Sequence, residues 1–513
     1  MSAWIVAPIL VPAVAAPLLL LARRAPDLQR KTSLVAVALL LASCIAVFVL
    51  ATDGVVRSYR LGDWPAPFGI VLVLDRLSAT MVLLTGVLST AVALYAVNGW
   101  DEKGHHFHPL FHFQLMGING AFLTGDVFNL FVFFEVMLIA SYGLLLHGGG
   151  PRRLGAGFQY VAINLVGSTL FLFAVGLIYG VTGTLNMADL AVKVAQIAPG
   201  DVAILRTGAL LLFLVFAMKA ALVPLHWWLP TAYAAAPAPS AALFAVMTKV
   251  GAYSIIRVFT VAFGSDGGAG ANLAAPWIMP AALATLVIGA IGVLASRVLV
   301  DLVCFSVVWS MGTLLVAVAL FDVAGLTAAL YYTLHSTLIG GALFLLCDLI
   351  AARRGRWRDN LEPSPVMAEA PVLGGLFFLA AIAMCGLPPL SGFIGKLMVL
   401  DATRTSGTVG WTWTLVLVTS LVVIVGFSRA GTTLFWKSEA VEGSPEPVRS
   451  PPRSVPMLAT ASLIAGTALL SLWGGPATRH LEATARQLLN PKDYVEAVLG
   501  PPTQARLAVE AKE

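Results

Sequence analysis

The feature that most constrains this chain is a succession of continuous apolar runs, each about as long as a lipid bilayer is thick. A helix needs about 20 mainly apolar residues to cross the hydrocarbon core. Because the runs are continuous rather than alternating, they exclude a transmembrane β-barrel. They predict an all-α polytopic membrane protein of about fourteen transmembrane helices, at 3–22, 32–51, 71–97, 109–125, 127–146, 158–179, 204–222, 237–262, 275–295, 302–320, 327–350, 370–399, 412–434 and 456–474.

Composition agrees with a membrane protein. A soluble chain usually carries about a quarter charged residues, whereas here 11% are charged and 59% are hydrophobic. A soluble fold of 513 residues could not cover its surface with so few charges. We therefore exclude a cytosolic enzyme, a disordered protein and a nucleic-acid binder. The cysteines lie in apolar runs without paired spacing, so neither a disulfide framework nor a zinc site is indicated: Cys44, Cys304, Cys347 and Cys385.

The basic residues predict the orientation in the membrane. The first run is followed, not preceded, by Arg23 and Arg24, so it is interpreted as a retained helix rather than a signal peptide. Cytoplasmic loops of membrane proteins are enriched in Lys and Arg. With the N-terminus outside, most loop cations fall inside, and fourteen spans place both termini outside. The predicted outside loops hold only Arg57, Arg60, Lys193, Arg206 and Arg404.

Five titratable side chains lie near the middle of predicted spans: Glu135, Lys219, Lys249, His335 and Lys396. A charge at mid-bilayer costs at least about 2.5 kcal/mol, so such residues are functional candidates by default. Glu135 is either neutral and bonded to helix backbone, or paired with a cation, for which Lys219 is the candidate. Lys219 could instead extend to an interface, and His335 could be structural, although histidine can exchange a proton near neutral pH.

Two of the lysines lie beside predicted breaks in their helices. Lys219 precedes a proline-rich stretch, 223–240, and Lys396 follows the Gly- and Pro-containing stretch 386–392. Irregular backbone at membrane depth survives only where it lines protein or a wet cavity. Interrupted helices at corresponding places in two halves are typical of repeats in transporters. The pattern therefore predicts an ion path that passes both breaks.

Three other patterns are less informative. Asp75 and Arg76 begin the third run and are interpreted as its anchors, and Arg257 is a further cation within a span. No nucleotide-binding glycine motif is present. Four histidines resemble a metal cluster, but no acidic or cysteine partner completes a site: His105, His106, His108 and His112.

Three stretches resemble one known family. They are TGDVFNLFVFFEVMLIASYGLL at 124–145, MKAALVPLHWWLPTAYAAAPAPSAALFAVMTKVGAYSIIRV at 218–258, and GLPPLSGFIGK at 386–396. They are similar to the D subunit of Mrp-type multisubunit sodium/proton antiporters and, more distantly, to the antiporter-like subunits of respiratory complex I. The similarity covers roughly residues 70–435.

The resemblance implies two inverted five-helix repeats, each with a broken helix, and a lateral proton path through Glu135, Lys219, Lys249, His335 and Lys396. The implied division is residues 1–108 for helices 1–3, 109–262 for the first repeat, 275–434 for the second, and 435–513 for the last helix and tail. One departure lies in the tenth span. Where relatives carry a basic residue and a serine-rich run, this chain has Asp301 and hydrophobic residues.

The function expected from these features is that of a proton-translocating subunit of a cation (sodium)/proton antiporter in the cell membrane. Such a chain is a secondary transporter subunit rather than an enzyme, with no cofactor and no metal. Its expected partners are other hydrophobic subunits, protons, sodium and the lipid bilayer, with no nucleic acid. An alternative is a proton-pumping subunit of a complex I-like or hydrogenase-type redox complex, with the electron carriers in other chains. A non-transporting scaffold is disfavoured, because it would not need the five costly buried groups.

Overall fold

The structure, a computed structural model, describes residues 2–443 and 454–500. The first half of the chain forms helices and one small antiparallel sheet. Their bounds are α1 Ala7–Leu21, α2 Pro26–Ala51, β1 Arg57–Arg60, β2 Val71–Leu74, α3 Arg76–Ala96, α4 Phe107–Leu123, α5 Val127–Leu146, α6 Pro151–Thr182, α7 Met187–Ala195, α8 Val202–Lys219, α9 Trp228–Ala235, α10 Ala238–Phe244 and α11 Met247–Val261.

The second half is helical throughout its described part. The helices are α12 Ala275–Ala295, α13 Leu299–Val318, α14 Val323–Arg353, α15 Ala370–Cys385, α16 Ser391–Ala402, α17 Val409–Gly431, α18 Ser454–Leu472, α19 Gly474–Leu489 and α20 Lys492–Leu499. The predicted final segment, 435–513, lies partly outside the described residues.

Twelve helical segments of the described residues are long and apolar enough to cross a bilayer. Two of the predicted runs are not among them, for different physical reasons. The run 109–125 forms α4, which has 17 residues and carries buried polar side chains. The run 370–399 is divided between α15 and α16. Both runs are helical, and the all-α polytopic fold class is confirmed.

Both predicted helix breaks are present. The helix α8 ends at Lys219, and the chain turns through Ala221, which has φ +55°, before α9 begins. Pro224, in the turn between the two helices, lacks the backbone N–H that a helix interior uses, which disfavours a continuous helix there. The helix α15 ends at Cys385, where Gly386 adopts φ +70°, a conformation that favours glycine.

Close packing in the two halves follows the same pattern. A Cβ on Gly117 of α4 would lie 2.6 Å from the Met137 nitrogen of α5, and one on Gly289 of α12 would lie 2.5 Å from the Trp309 nitrogen of α13. Both members of the second contact follow those of the first by 172 residues (289 − 117 and 309 − 137). This recurrence supports the predicted repeats, whose inverted relation and bounds stay a prediction. Isolated antiparallel bridges occur at comparable positions in the two halves, Asp126 with Asn186 and Val298 with Asn360.

The C-terminal helices α19 and α20 pack on the loops that the charge pattern predicts to be outside. The Ser58 hydroxyl, on β1, donates to the Ala497 carbonyl at 2.7 Å. The Tyr494 hydroxyl lies 3.9 Å from the sulfur of Met187, at the start of α7. The described tail and the predicted outside loops therefore share one face of the molecule.

Candidate functional site

Glu135 lies in the middle of α5 and is half-buried. Its carboxylate accepts a hydrogen bond from the Ser168 hydroxyl of α6. Aromatic rings surround this position, and the Phe134 and Phe171 ring centroids are 6.0 Å apart. The carboxylate is therefore held by a neutral hydroxyl beside aromatic rings.

Lys219 is buried, and its Nζ donates to Asn164 Oδ1 of α6 at 2.7 Å. Asn164 and Ser168 are four residues apart and share one face of α6. The structure therefore joins Glu135 and Lys219 through α6. The expected direct pair is not formed, since no ion pair connects these two described residues, although they interact electrostatically at longer range.

Lys249 lies within α11 and is 1% exposed. Its Nζ has no hydrogen-bond partner among the residues that the structure describes. The helix α11 packs tightly on the end of α8, where a Cβ on Gly251 would lie 2.6 Å from the Ala220 nitrogen. An unpartnered buried ammonium is costly, so this position needs a neutral amine or a hydrating group.

His335 is fully buried in α14. Its Nδ1 lies 2.9 Å from the hydroxyl of Ser391, the first residue of α16. Its Nε2 has no hydrogen-bond partner within the described residues. The ring interacts electrostatically with both Lys249 and Lys396. His335 is therefore anchored through Nδ1 and lies within electrostatic range of both lysines, and its ring also interacts with the Ala383 carbonyl.

Lys396 lies in α16, after the break, rather than before it as Lys219 does. Its Nζ donates to the Cys385 carbonyl at the end of α15 and to the Ser420 hydroxyl of α17 at 3.0 Å. The Trp309 ring of α13 lies 4.1 Å from Nζ, within the range of a cation–π contact. Lys396, Cys385 and Ser420 border a cavity of about 260 Å³.

The side chains that hold these groups were not found from the sequence. They are neutral residues that occur throughout membrane helices and carry no distinctive pattern: Asn164, Ser168, Trp309, Ser391 and Ser420. Helical spacing could have found only the relation between Asn164 and Ser168. The tenth span, which departs from the family pattern at Asp301, contributes Trp309 to the Lys396 site.

Arg257 differs from the lysines because it has an anionic partner. Its guanidinium forms a two-pronged pair with Asp75, at 2.5 and 2.8 Å, and both side chains are buried. Asp75 also caps α3 through the Ser78 nitrogen. The sequence interpretation of Asp75 as an anchor was incomplete, because its main partner lies 182 positions along the chain.

The four clustered histidines do not converge on one point. His105 and His106 are exposed, whereas His108 and His112 are buried and both contact the Ser33 hydroxyl. An acidic partner does lie there, contrary to the sequence interpretation, since Asp101 lies 3.3 Å from His108.

The fold and the site together define a polytopic helical membrane protein with titratable side chains buried beside broken helices. The chain belongs to the NADH:quinone oxidoreductase/Mrp antiporter transmembrane family, whose model matches residues 124–425.

Three relatives illustrate the match. The chain is 46% identical over 475 residues to the D subunit of a probable K(+)/H(+) antiporter of Rhizobium meliloti (strain 1021), covering 86% of each. It is 38% identical over 507 residues to the D subunit of the Na(+)/H(+) antiporter of Bacillus subtilis (strain 168), covering 97% of this chain and 100% of the relative. A chain in the structure of the Mrp complex from Dietzia sp. DQ12-45-1b is 28% identical, with a TM-score of 0.87 over 97% of this chain and 99% of that one. These matches confirm the family resemblance.

Proposed function

We propose that this chain is the proton-translocating subunit of a multisubunit cation/proton antiporter. Protons move along Glu135, Lys219, Lys249, His335 and Lys396, and the assembled complex exchanges them for sodium. The chain acts as a secondary transporter subunit beside other hydrophobic subunits in the cell membrane.

The observation that carries this proposal is the kind of partner that each buried cation has. The structural cation Arg257 is fixed by the Asp75 carboxylate. Lys219 and Lys396 instead contact neutral oxygens, and Lys249 contacts none among the described residues. A neutral acceptor can bond an amine in either protonation state, whereas a buried carboxylate would favour the charged form. These lysines are therefore suited to releasing and regaining a proton.

His335 is suited to passing protons between the lysines. The Ser391 hydroxyl holds its Nδ1 and fixes the ring, so that Nε2 remains able to accept a proton. At the far end, the Lys396 ammonium donates a hydrogen bond to the Cys385 carbonyl, so this proton has a defined acceptor. A transmembrane potential supplies about 2.3 kcal/mol per charge per 100 mV, which is sufficient to drive steps of this kind.

The names of the relatives support antiport over the redox alternative. They name two different cations that the antiporter could exchange for protons. The Rhizobium relative is named for potassium and the Bacillus relative for sodium. Copurification of the native complex separates the two functions. Small hydrophobic subunits without redox cofactors support the antiporter, and copurifying redox subunits would support a pump.

The transport experiment uses inverted membrane vesicles that contain the complete complex. The collapse of an imposed pH gradient is measured after adding sodium or potassium. We expect the wild type and Lys193→Ala, a change in an exposed lysine of α7, to exchange protons for a cation. Lys219→Ala should not. Failure of the assembled wild-type complex to respond to either cation would refute the proposal.

The orientation is tested by cysteine labelling. All four native cysteines are buried, so a new exposed cysteine can be read separately. We propose that both termini lie outside, which predicts labelling of Asp266→Cys by an impermeant maleimide in intact cells. Lys437→Cys should be labelled only after the membrane is opened. The reverse result would invert the topology.

A further inference from the structure

A line of polar side chains enters the bundle at the face opposite the C-terminal helices. It begins at a cavity of about 550 Å³ bordered by Arg23, Arg24, Asp101, Glu102, His105 and His106. The Asp101 carboxylate lies at the inner edge of this cavity and is mostly buried. We name the cavity the loop vestibule.

Four side chains continue from the vestibule into the bundle without interruption. Asp101 Oδ2 lies 3.3 Å from His108 Nε2, and His108 Nδ1 lies 3.0 Å from the Ser33 hydroxyl. The same hydroxyl lies 3.1 Å from His112 Nε2. Ser33, on α2, therefore bridges two histidines one turn apart on α4. All three are buried.

The inner end of this line is open for a further hydrogen bond. His112 Nδ1 is buried and has no hydrogen-bond partner among the described residues. The side-chain nitrogen and oxygen of Gln114 are likewise buried without a partner there. Ten residues beyond His112, the same helix α4 contacts α11, the helix of Lys249, where the Tyr253 hydroxyl donates to the Phe122 carbonyl at 2.6 Å. Buried polar atoms in native structures are usually paired, so these atoms are candidates for a further hydrogen-bonded group.

We propose that Asp101, His108, Ser33 and His112 form a proton relay that carries protons from the loop vestibule into the bundle along α4, the helix that contacts the Lys249 helix α11. The relay rests on the proposed function, because it supplies the protons that the five intramembrane groups move. With both termini outside, the vestibule opens to the inside.

The proton transfers balance along the line. A proton that reaches the Asp101 carboxylate from the vestibule passes to His108 Nε2, and His108 gives its Nδ1 proton to the Ser33 oxygen. The Ser33 hydroxyl proton passes to His112 Nε2, and His112 releases its Nδ1 proton inward. Each imidazole then carries its proton on the other nitrogen, so the two rings and the hydroxyl rotate before the next passage.

The charges around the vestibule end of the relay favour an ionised Asp101 carboxylate. Arg30 on α2 donates to Asp101 Oδ2 at 2.8 Å and also pairs with Glu102. Burial alone would raise the pKa of the Asp101 carboxyl, but the hydrogen bonds with His108 and Arg30 hold that pKa below its ordinary value. Asp101 therefore attracts protons toward His108 rather than retaining them.

The test removes the bridging hydroxyl and measures exchange in vesicles per assembled complex. Ser33→Ala should slow exchange by about tenfold or more, a modest share of what a positioned proton-transfer group contributes. Ser33→Thr, which keeps a hydroxyl, should stay within about twofold of the wild type. The matched control is Ser43→Ala on the same helix, where the hydroxyl donates to the Leu40 carbonyl of its own helix.

A second variant keeps the test decisive if Ser33→Ala assembles poorly. His112→Gln can still bond Ser33 but cannot pass a proton, so it should assemble and transport slowly. Normal exchange in either variant, or equal loss in Ser33→Thr, would overturn the relay. Lys219→Ala is measured alongside. Normal exchange in that variant would refute the proposed function, whereas the Ser33 and His112 results judge the relay separately.

Discussion

The ammonium of Lys396 reaches back across the break in its own helix and donates a hydrogen bond to the carbonyl of Cys385, the last residue of α15. The carbonyl at a helix end has no intrahelical partner, so the lysine satisfies an acceptor that the break creates. Lys219 is related to its break differently, because it is itself the last residue of α8. Lys219 therefore lies before the break in its helix, whereas Lys396 lies after the break in its own helix.

Replacing Glu135 is expected to remove exchange without preventing assembly. Glu135→Gln can still accept the Ser168 hydrogen bond but cannot ionise, so its packing is preserved and its proton chemistry is lost. We expect sodium-driven proton movement to fall by at least about tenfold. The control is Glu482→Gln, which alters only an exposed pair with Arg486. Equal activity in both variants would remove Glu135 from the proton path.

Asn164→Asp tests whether Lys219 needs a neutral partner. The substitution preserves size, but it places a carboxylate against Nζ, which lies 2.7 Å from the present amide oxygen. A carboxylate there would hold the ammonium in its charged form. Proton flux in vesicles should therefore decline sharply while the complex assembles. Asn98→Asp, at the C-terminal end of α3, makes the same chemical change near the surface and should transport normally.

Gly392→Ala is expected to disturb the contact between His335 and the break. A Cβ at this position would lie 2.1 Å from the Ala383 carbonyl oxygen and 2.8 Å from His335 Nε2. The backbone must then shift, and both exchange rate and thermal stability should decrease. Gly375→Ala is the matched control, because a Cβ there meets nothing within 4 Å. A Gly392→Ala complex with normal exchange would show that this close approach is dispensable.

Asp75→Asn should affect stability more than transport chemistry. It leaves the Arg257 guanidinium buried without its anion, and breaking a buried ion pair in this way costs about 3–5 kcal/mol. We expect a lower melting temperature of the purified complex and less assembled protein. Arg257→Met in the same background should recover part of the loss, because it removes the unpaired charge. No recovery in the double variant would argue against a simple pair.

The transmembrane helices could be predicted from the sequence because each helix that crosses a bilayer needs a continuous apolar run of about 20 residues. The breaks beside Lys219 and Lys396 were also predictable, since proline and glycine act locally on the backbone. The partners were not. Asp75 and Arg257 are 182 positions apart, and only the tertiary fold brings them together. The neutral acceptor Asn164 is not recognisable in advance, because nothing in its sequence neighbourhood distinguishes it from other polar residues in helices.

The central claim is that protons pass through the intramembrane lysines, and Lys396→Arg tests it most directly. Arginine keeps the positive charge, and the cavity of about 260 Å³ beside Lys396 gives the larger side chain room. A guanidinium cannot release its proton at any accessible pH. Proton flux is measured in vesicles at matched amounts of assembled complex. The account predicts that Lys396→Arg is as inactive as Lys396→Ala, whereas normal transport by Lys396→Arg would show that only a fixed positive charge is required.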